Sequence, residues 1–159
     1  MAVAPRHAVL IPVAALAAVL VSSAVPAADW PGWRGAKRDG LSTETGLLQE
    51  WGAGGPPLAW KASGIGTGYS SVAVVGDRIY ATGDKDGAQR VFALDRNGGR
   101  IVWQAKLGPS FDARRGGGPR GTPVVDGARL YAIGTDSDVV CLDAATGKEI
   151  WRRNMVRDF

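Results

Sequence analysis

Few residues in this chain could act as general bases or bind a transition metal. The sequence contains one histidine, His7, and one cysteine, Cys141. A histidine-rich metal site, a cysteine zinc cluster and an intrachain disulfide each need more of these residues than the chain offers. Cys141 stands beside Leu142 in an apolar run, which predicts a buried and unreactive thiol. The composition therefore argues against metal sites built on histidine or cysteine.

Carboxylates are the remaining candidate metal ligands, since calcium takes oxygen ligands from acids spaced two residues apart. Two such pairs occur: Asp84 with Asp86, and Asp136 with Asp138. Neither belongs to an Asp-x-Asp-x-Asp-Gly run with a later glutamate, so turn formation is the favoured interpretation. Asp112 and Asp126 have no second acid at an interpretable spacing. We therefore predict no catalytic residue and no metal ligand, and the cofactor-binding residues stay unassigned.

A basic, glycine-rich stretch occupies residues 114–120, with Arg114, Arg115 and Arg120 around three glycines. Guanidinium groups and free backbone N–H groups could hold a phosphate or a carboxylate. A solvated loop is the favoured interpretation, and the anion site stays open as the alternative. Residues 64–68, Gly-Ile-Gly-Thr-Gly, open no helix and are not predicted to bind a dinucleotide. Trp30 and Trp33 are predicted to pack against a sheet rather than to stack on a ligand.

Residues 1–27 have the pattern of a secretory signal peptide. Arg6 supplies the positive charge, an apolar run covers residues 8–21, and small residues lead to Ala27 and Ala28. That run is short for a membrane-spanning helix, which needs about 20 residues. We predict cleavage after Ala27, with Ala28 as the alternative, and an exported protein, periplasmic or secreted, with no stable membrane anchor. His7 would leave with the signal, which disfavours a Ser-His-Asp triad, and export makes nucleic acid an unexpected partner.

The rest of the chain reads as short β-strands joined by tight turns. No segment after Trp30 keeps the 3.6-residue period of a helix, whereas short apolar runs alternate with Gly, Asp and Asn. Glycine accounts for 23 of 159 residues, about twice the usual share of ~7%, which suits turns that need positive φ. Four runs in succession predict one four-stranded unit: residues 71–75, 79–82, 91–94 and 101–103.

The pattern of this unit then repeats. Residues 79–83 recur as residues 130–134, displaced by 51 positions, and Leu94-Asp95 recurs as Leu142-Asp143, displaced by 48. Periods of 40 to 50 residues with four short strands indicate the blades of a β-propeller. The predicted structural positions of the repeat are Trp60, Tyr80, Asp95, Gly99, Trp103, Tyr131, Asp143, Gly147 and Trp151.

Each of these positions has a physical reason. The turn before the last strand needs positive φ, which glycine provides at Gly99 and Gly147. Asp95 and Asp143 can accept backbone N–H bonds within that turn. One tryptophan per blade can fill the gap between adjacent sheets, and the tyrosines alternate with small residues on a half-buried strand.

The segment Leu-Asp-Ala-Ala-Thr-Gly-Lys-Glu-Ile-Trp at residues 142–151 resembles the repeat of the PQQ-like, or quinoprotein-type, β-propeller family. Residues 94–103 are a looser copy, and the Asp-Trp-Pro-Gly-Trp-Arg-Gly stretch at residues 29–35 resembles the first segment of exported members. The resemblance implies an all-β fold of four-stranded antiparallel blades, eight in a full propeller. It does not select one function, because the family includes both dehydrogenases and non-enzymatic scaffolds.

Two functional hypotheses follow from the resemblance. The favoured one is an exported, non-catalytic binding or scaffolding module that displays loops to a protein or polymer partner, similar to the propeller subunit of the outer-membrane protein assembly machinery. The alternative is part of a PQQ-dependent dehydrogenase that oxidises an alcohol or a sugar with PQQ and calcium. The vicinal cysteine pair of some such dehydrogenases has no counterpart here, and no residue matches their calcium ligands or base.

The expected organisation is a signal at residues 1–27, an N-terminal segment with the last strand of a partial blade at 28–69, and a blade at 70–106. A linker loop and a second blade follow at 107–152, and the start of an interblade linker lies at 153–159. About two complete blades are expected, against about eight in the family. We therefore expect this chain to be part of a longer protein, with closure by oligomerisation as the alternative.

Overall fold

A computed structural model describes residues 27–159, and the regular elements of that range are eight β-strands. They form two four-stranded antiparallel sheets, each in the order of the sequence. This confirms the predicted fold class. The first blade consists of β1 (Ala73–Val75), β2 (Arg78–Lys85), β3 (Ala88–Asp95) and β4 (Ile101–Pro109). The second consists of β5 (Val124–Asp126), β6 (Arg129–Ile133), β7 (Asp138–Asp143) and β8 (Glu149–Asn154).

The central hairpin of the first blade is longer than the sequence predicts. Lys85 pairs with Ala88, so only Asp86 and Gly87 form the turn between β2 and β3. Both turn residues have positive φ, 52° and 74°, as a type I′ hairpin requires. The strand run predicted at residues 79–82 is therefore too short, because a two-residue turn lets the polar residues 84 and 85 continue the strand ladder.

Alternate residues of β3 face opposite sides of the first blade. Val91 and Ala93 belong to a cluster shared with Leu130 and Leu142 of the second blade. Phe92 and Leu94 belong to a second cluster, which is covered by the segment that precedes β1. Phe92 is fully buried, and burying a side chain of this size stabilises the fold by about 1.5–3 kcal/mol. The first blade is thus packed on both faces, and Cys141 is buried in the second blade, as predicted.

The two blades are joined through the carbonyl oxygen of Ala144. The Trp103 Nε1–H donates to it at 3.2 Å and the Tyr80 hydroxyl donates to it at 3.1 Å. The rings of Tyr80 and Trp103 are tilted against each other with centroids 5.9 Å apart. The Trp103 indole also lies on Gly147, where an added Cβ would be 2.5 Å from the ring. Aromatic rings of one blade therefore contact the β7–β8 turn of the next.

Related contacts occur on either side of this junction. Trp60, which precedes the first blade, donates from Nε1 to the carbonyl of Arg96 at 3.0 Å and lies on Gly99. Tyr131 and Trp151 of the second blade are 6.0 Å apart at 47°, close to the geometry of Tyr80 and Trp103. The sheet order and these aromatic contacts repeat from unit to unit.

The segment before the first blade contacts the first strand of each blade, β1 and β5. Trp30 forms an antiparallel bridge with Val74 of β1, and the Val125 N–H of β5 donates to the Pro31 carbonyl at 2.8 Å. The backbone of Trp30 thus pairs with the first sheet, whereas its ring packs on Gly35 of the same loop. The packing prediction is wrong for Trp33, which is 62% exposed, because the chain turns away from the sheet after Gly32.

The predicted signal peptide lies outside the described residues, apart from Ala27. Within residues 27–159, no helix is long and apolar enough to cross a membrane.

Candidate functional site

A cleft of about 660 Å³ opens where β4 ends and the chain passes to the second blade. It lies at the same end of the first sheet as the β2–β3 turn, because Ala88 at that turn pairs with Pro109. Tyr69, Asp84, Phe111 and Asp112 contribute its largest side chains. The full lining is Gly66, Thr67, Gly68, Tyr69, Asp84, Ser110, Phe111, Asp112, Gly116 and Gly117. We call this the loop cleft.

Asp84 fixes the floor of the loop cleft. Its two carboxylate oxygens accept from the Ser110 hydroxyl at 3.0 and 2.9 Å, and one of them also accepts from the Phe111 N–H at 2.7 Å. Hydrogen bonds to a charged acceptor are about twice as strong as neutral ones. Asp84 therefore holds the first residues of the interblade loop against β2.

The glycine segment at residues 64–68 forms one wall of the cleft through close backbone contacts. Thr67 pairs with Asp84 in both directions, at 3.0 and 2.7 Å. A Cβ at Gly66 would collide with the Asp84 carbonyl, and Gly66 also has a φ of +81°. The segment thus needs glycine for close contact with β2.

Arg120 connects the two aromatic residues of the loop cleft. Its guanidinium lies 5.6 Å from the ring centres of both Tyr69 and Phe111, within the range of cation–π attraction. It also donates to the Gly116 carbonyl at 3.0 Å. All three arginines are exposed, and Arg120 in addition contacts the two rings and the Gly116 carbonyl of the loop.

A polar link between the blades lies behind the cleft, and the sequence analysis missed it. Gln89 is fully buried, and its Nε2 donates to the Pro109 carbonyl at 2.7 Å and to the Thr135 hydroxyl at 2.6 Å. Its Oε1 accepts from the Thr135 N–H at 3.0 Å. The available signal was one glutamine before an apolar strand run, which is too common to identify a buried contact. Gln89 therefore links the end of β4 to the β6–β7 turn of the second blade.

The acid pairs do not behave as the sequence predicts. Turn formation is wrong for Asp84 and Asp138, because each lies in a strand and accepts from another segment. Asp138 is 8% exposed, accepts from Asn154 Nδ2 at 2.9 Å and pairs with Arg157 at 3.2 Å and Arg152 at 3.7 Å. It anchors β8 and the residues after it. Asp86 does lie in a turn.

The predicted repeat positions lie mainly at the other ends of the sheets. Gly99 and Gly147 have φ values of +69° and +74° in the β3–β4 and β7–β8 turns. Asp95 accepts from the Asn97 and Gly98 N–H groups at 2.9 and 3.1 Å. Asp143 accepts from the Thr146 N–H at 2.9 Å and hydroxyl at 2.8 Å. These residues shape turns and do not line the loop cleft.

Two side chains at the blade junction have shifted protonation equilibria. The Thr146 hydroxyl and N–H, by bonding to the carboxylate, lower the pKa of Asp143 below its usual value. Burial raises the pKa of the Tyr80 phenol, so its hydroxyl stays a donor to Ala144 at all ordinary pH values. The Asp143 hydrogen bonds stabilise the β7–β8 turn, and the Tyr80 shift keeps the donor to the Ala144 carbonyl protonated.

The side chains of the loop cleft do not form a calcium site. Asp84 already accepts three hydrogen bonds from the interblade loop. Within residues 27–159, no three His, Cys, Asp or Glu side chains come close enough to share a metal ion. The arrangement is suited instead to binding, since braced backbone and aromatic walls surround the exposed Asp112 carboxylate.

Comparison with known proteins identifies the repeat. Residues 87–159 match the family model described as outer membrane protein assembly factor BamB. A probable quinate dehydrogenase (quinone) from Xanthomonas campestris pv. juglandis is 30% identical over 161 residues, which cover 87% of this chain. This chain spans only 19% of that relative's length.

Solved structures share the architecture. Quinohemoprotein alcohol dehydrogenase from Comamonas testosteroni matches with a TM-score of 0.57 at 22% identity, over 81% of this chain and 20% of that one. BamB from Moraxella catarrhalis matches with a TM-score of 0.49 at 23% identity, over 60% of this chain and 28% of that one. Residues 87–159 are thus similar to the repeat of PQQ-like proteins, and the likeness to the quinohemoprotein structure shows that the two sheets have the fold of β-propeller blades.

Proposed function

We propose that this chain is part of an exported, non-catalytic β-propeller that binds a protein or polymer partner at the loop cleft. The proposal rests on the hydrogen bonds and cation–π contacts that hold the residues of the cleft in place. Asp84 is engaged with Ser110 and Phe111, and Arg120 is engaged with two aromatic rings. A carboxylate used in this way would have to release the loop before it could take a proton from a substrate.

Rigid loops favour binding because less conformational entropy is lost when a partner docks. The side chain left available in the cleft is Asp112, which is exposed and lies between Phe111 and the glycines at 116 and 117. A carboxylate beside an aromatic ring suits a segment that carries amide, hydroxyl or ammonium donors. The partner is therefore proposed to present hydrogen-bond donors to this face.

Export is supported by the sequence of residues 1–27, with a positive start, an apolar run and small residues before Ala27. Sequencing the N-terminus of protein recovered outside the cytoplasm tests this part of the proposal. A first residue at 28 or 29 is the expected result. An intact residue 1 would contradict it.

The binding proposal is tested with a photo-crosslinking amino acid at position 112 of the complete protein in its own cells. One discrete adduct is expected from position 112, and none from the matched exposed acid Asp39, which lies away from the loop cleft. The purified partner should then bind the unmodified protein and lose about tenfold in affinity to Asp112→Lys, as for loss of one charged hydrogen bond. Equal affinity for Asp112→Lys would overturn the assignment of the cleft.

A second function is favoured by one specific observation, the 30% identity to a probable quinate dehydrogenase (quinone). In that case the chain would be part of a quinoprotein dehydrogenase that oxidises an alcohol or sugar with PQQ and calcium. Because the Asp84 carboxylate of the loop cleft is engaged with the interblade loop, calcium ligands would have to come from elsewhere in the protein. Dye-linked oxidation in the presence of PQQ and Ca²⁺ separates the two functions.

A further inference from the structure

A second cleft lies at the opposite ends of the strands, beside the β5–β6 turn. Its volume is about 660 Å³, and Trp33, Arg38, Asp126 and Tyr131 line it together with the backbone of Gly32. Asp126 closes β5, whereas the loop cleft begins where β4 ends beside the β2–β3 turn, so the two clefts lie at opposite ends of the strands. We call this second site the tryptophan cleft.

The loop that carries Trp33 is held in one shape. Three backbone hydrogen bonds close it on itself: Gly35 N–H to Gly32, Arg38 N–H to Gly35 and Gly40 N–H to Arg34, at 3.0 to 3.1 Å. The Pro31 carbonyl ties the loop to β5 through Val125. A loop this constrained can hold a side chain ready for a ligand.

Two arginines of the loop adopt a backbone conformation that normally belongs to glycine. Arg34 has a φ of 63° and Arg38 a φ of 58°. Such strain in residues with side chains clusters at functional sites, because the surrounding structure must maintain it. Of the two, Arg38 lines the tryptophan cleft, whereas Arg34 contacts the Trp33 ring.

Trp33 is presented to solvent rather than to the core. Its ring is 62% exposed, and the Arg34 guanidinium lies 5.1 Å from the ring centre. Arg34 does not line the cleft, so it braces the indole that does. Arg34, Lys37 and Arg38 outnumber Asp39 in this loop, and all four are exposed. An exposed indole beside a surplus of positive charge is complementary to a sugar ring that carries a carboxylate.

We propose that the tryptophan cleft binds an acidic carbohydrate, a pyranose chain with uronic carboxylates. The apolar face of the sugar ring stacks on Trp33, and Arg38 pairs with the carboxylate. The Asp126 carboxylate accepts from ring hydroxyls, which a peptide carboxylate ligand would not supply. This site is separate from the loop cleft, so it stands whether or not that cleft binds the proposed partner.

Titration of the complete protein with tetragalacturonate, followed by tryptophan fluorescence and calorimetry, tests the proposal. Saturable binding is expected, and Trp33→Ala and Arg38→Gln should each weaken it about tenfold, the loss typical of one stacking or charged contact. Trp33→Tyr keeps a ring and should restore most of the affinity. The matched controls are Trp51→Ala, which removes a 60% exposed tryptophan outside the cleft, and Arg114→Gln; both should bind as the unmodified protein does.

Two further ligands separate ring recognition from charge alone. Cellotetraose has the rings without carboxylates, and a glutamate tetrapeptide has carboxylates without rings; both should bind at least about tenfold more weakly. Absence of saturable tetragalacturonate binding, equal binding of the glutamate peptide, or an equal loss with Trp51→Ala would overturn the proposal. Thermal unfolding of each variant shows whether it is folded, which the exposure of Trp33 leads us to expect.

Discussion

The indole of Trp103 lies directly on the Cα of Gly147, a residue of the following blade. Gly147 has a φ of +74°, and a Cβ there would be 2.5 Å from the indole ring. Two requirements therefore fall on one residue: a left-handed backbone conformation and the absence of a side chain. The contact makes the position of the second blade depend on a single turn.

Gly147→Ala should lower the free energy of unfolding by more than its φ strain explains. The left-handed conformation costs an alanine about 1–2 kcal/mol, and the collision with Trp103 adds about 1–3 kcal/mol. Gly127→Ala is the matched control, because Gly127 has a φ of +54° and open space around its Cα. Urea unfolding of both variants measures the difference. Equal losses would show that the ring contact contributes nothing.

Trp103→Phe and Tyr80→Phe each remove one of the two donors to the Ala144 carbonyl. Each single variant should lose about 0.5–1.5 kcal/mol, since the other donor still satisfies the acceptor. The double variant leaves that carbonyl without either donor, so its loss should exceed the sum of the single losses. A double-mutant cycle in chemical unfolding measures this coupling. Strict additivity would mean that the two donors act independently.

Gln89→Leu should destabilise the junction by about 1–3 kcal/mol, because the Thr135 N–H loses its buried acceptor. Gln104→Leu is the control, since Gln104 is an exposed glutamine on the adjacent strand β4. Thermal or urea unfolding compares the two. A Gln104→Leu loss as large as that of Gln89→Leu would contradict a specific role for the buried amide.

The depressed pKa of Asp143 predicts a pH dependence of stability at the β7–β8 turn. Its contribution is fully present above the unfolded pKa, near 3.8, and is lost as the pH falls through the lower folded pKa. Thr146→Val removes the hydroxyl donor, so the variant should be less stable at pH 6 and should lose less stability on acidification. Unfolding midpoints between pH 6 and pH 2.5 test this. Parallel pH profiles for the two proteins would exclude the Thr146 hydroxyl as the cause.

Much of the fold could be predicted because it is encoded locally. Glycine occurs at turn positions such as Gly99 because the turn itself requires positive φ. Apolar runs of only a few residues between such turns are typical of strands and too short for helices. The length of β2 was missed because a two-residue turn at Asp86-Gly87 allows the polar residues Asp84 and Lys85 to remain in the ladder. The role of a polar residue in a strand depends on the segment opposite, which sequence spacing does not reveal.

The candidate sites were harder to predict for the same reason. Arg120 contacts two rings, one of them at residue 69, and Gln89 contacts a threonine of the next blade. These partners are far apart in sequence and carry no spacing signal. Exposure of Trp33 was missed because its neighbour Trp30 pairs with β1 through its backbone, and a single turn after Gly32 separates the two.

The proposal of a non-catalytic binding propeller is tested most directly by adding PQQ and Ca²⁺ to the protein from its complete reading frame. Quinone absorbance after gel filtration measures retained cofactor, and dye-linked oxidation of quinate, alcohols and sugars measures turnover. The expected result is no retained quinone and no turnover above the protein-free control. Stoichiometric quinone with turnover that requires both PQQ and Ca²⁺ would contradict the proposal and establish a quinoprotein dehydrogenase.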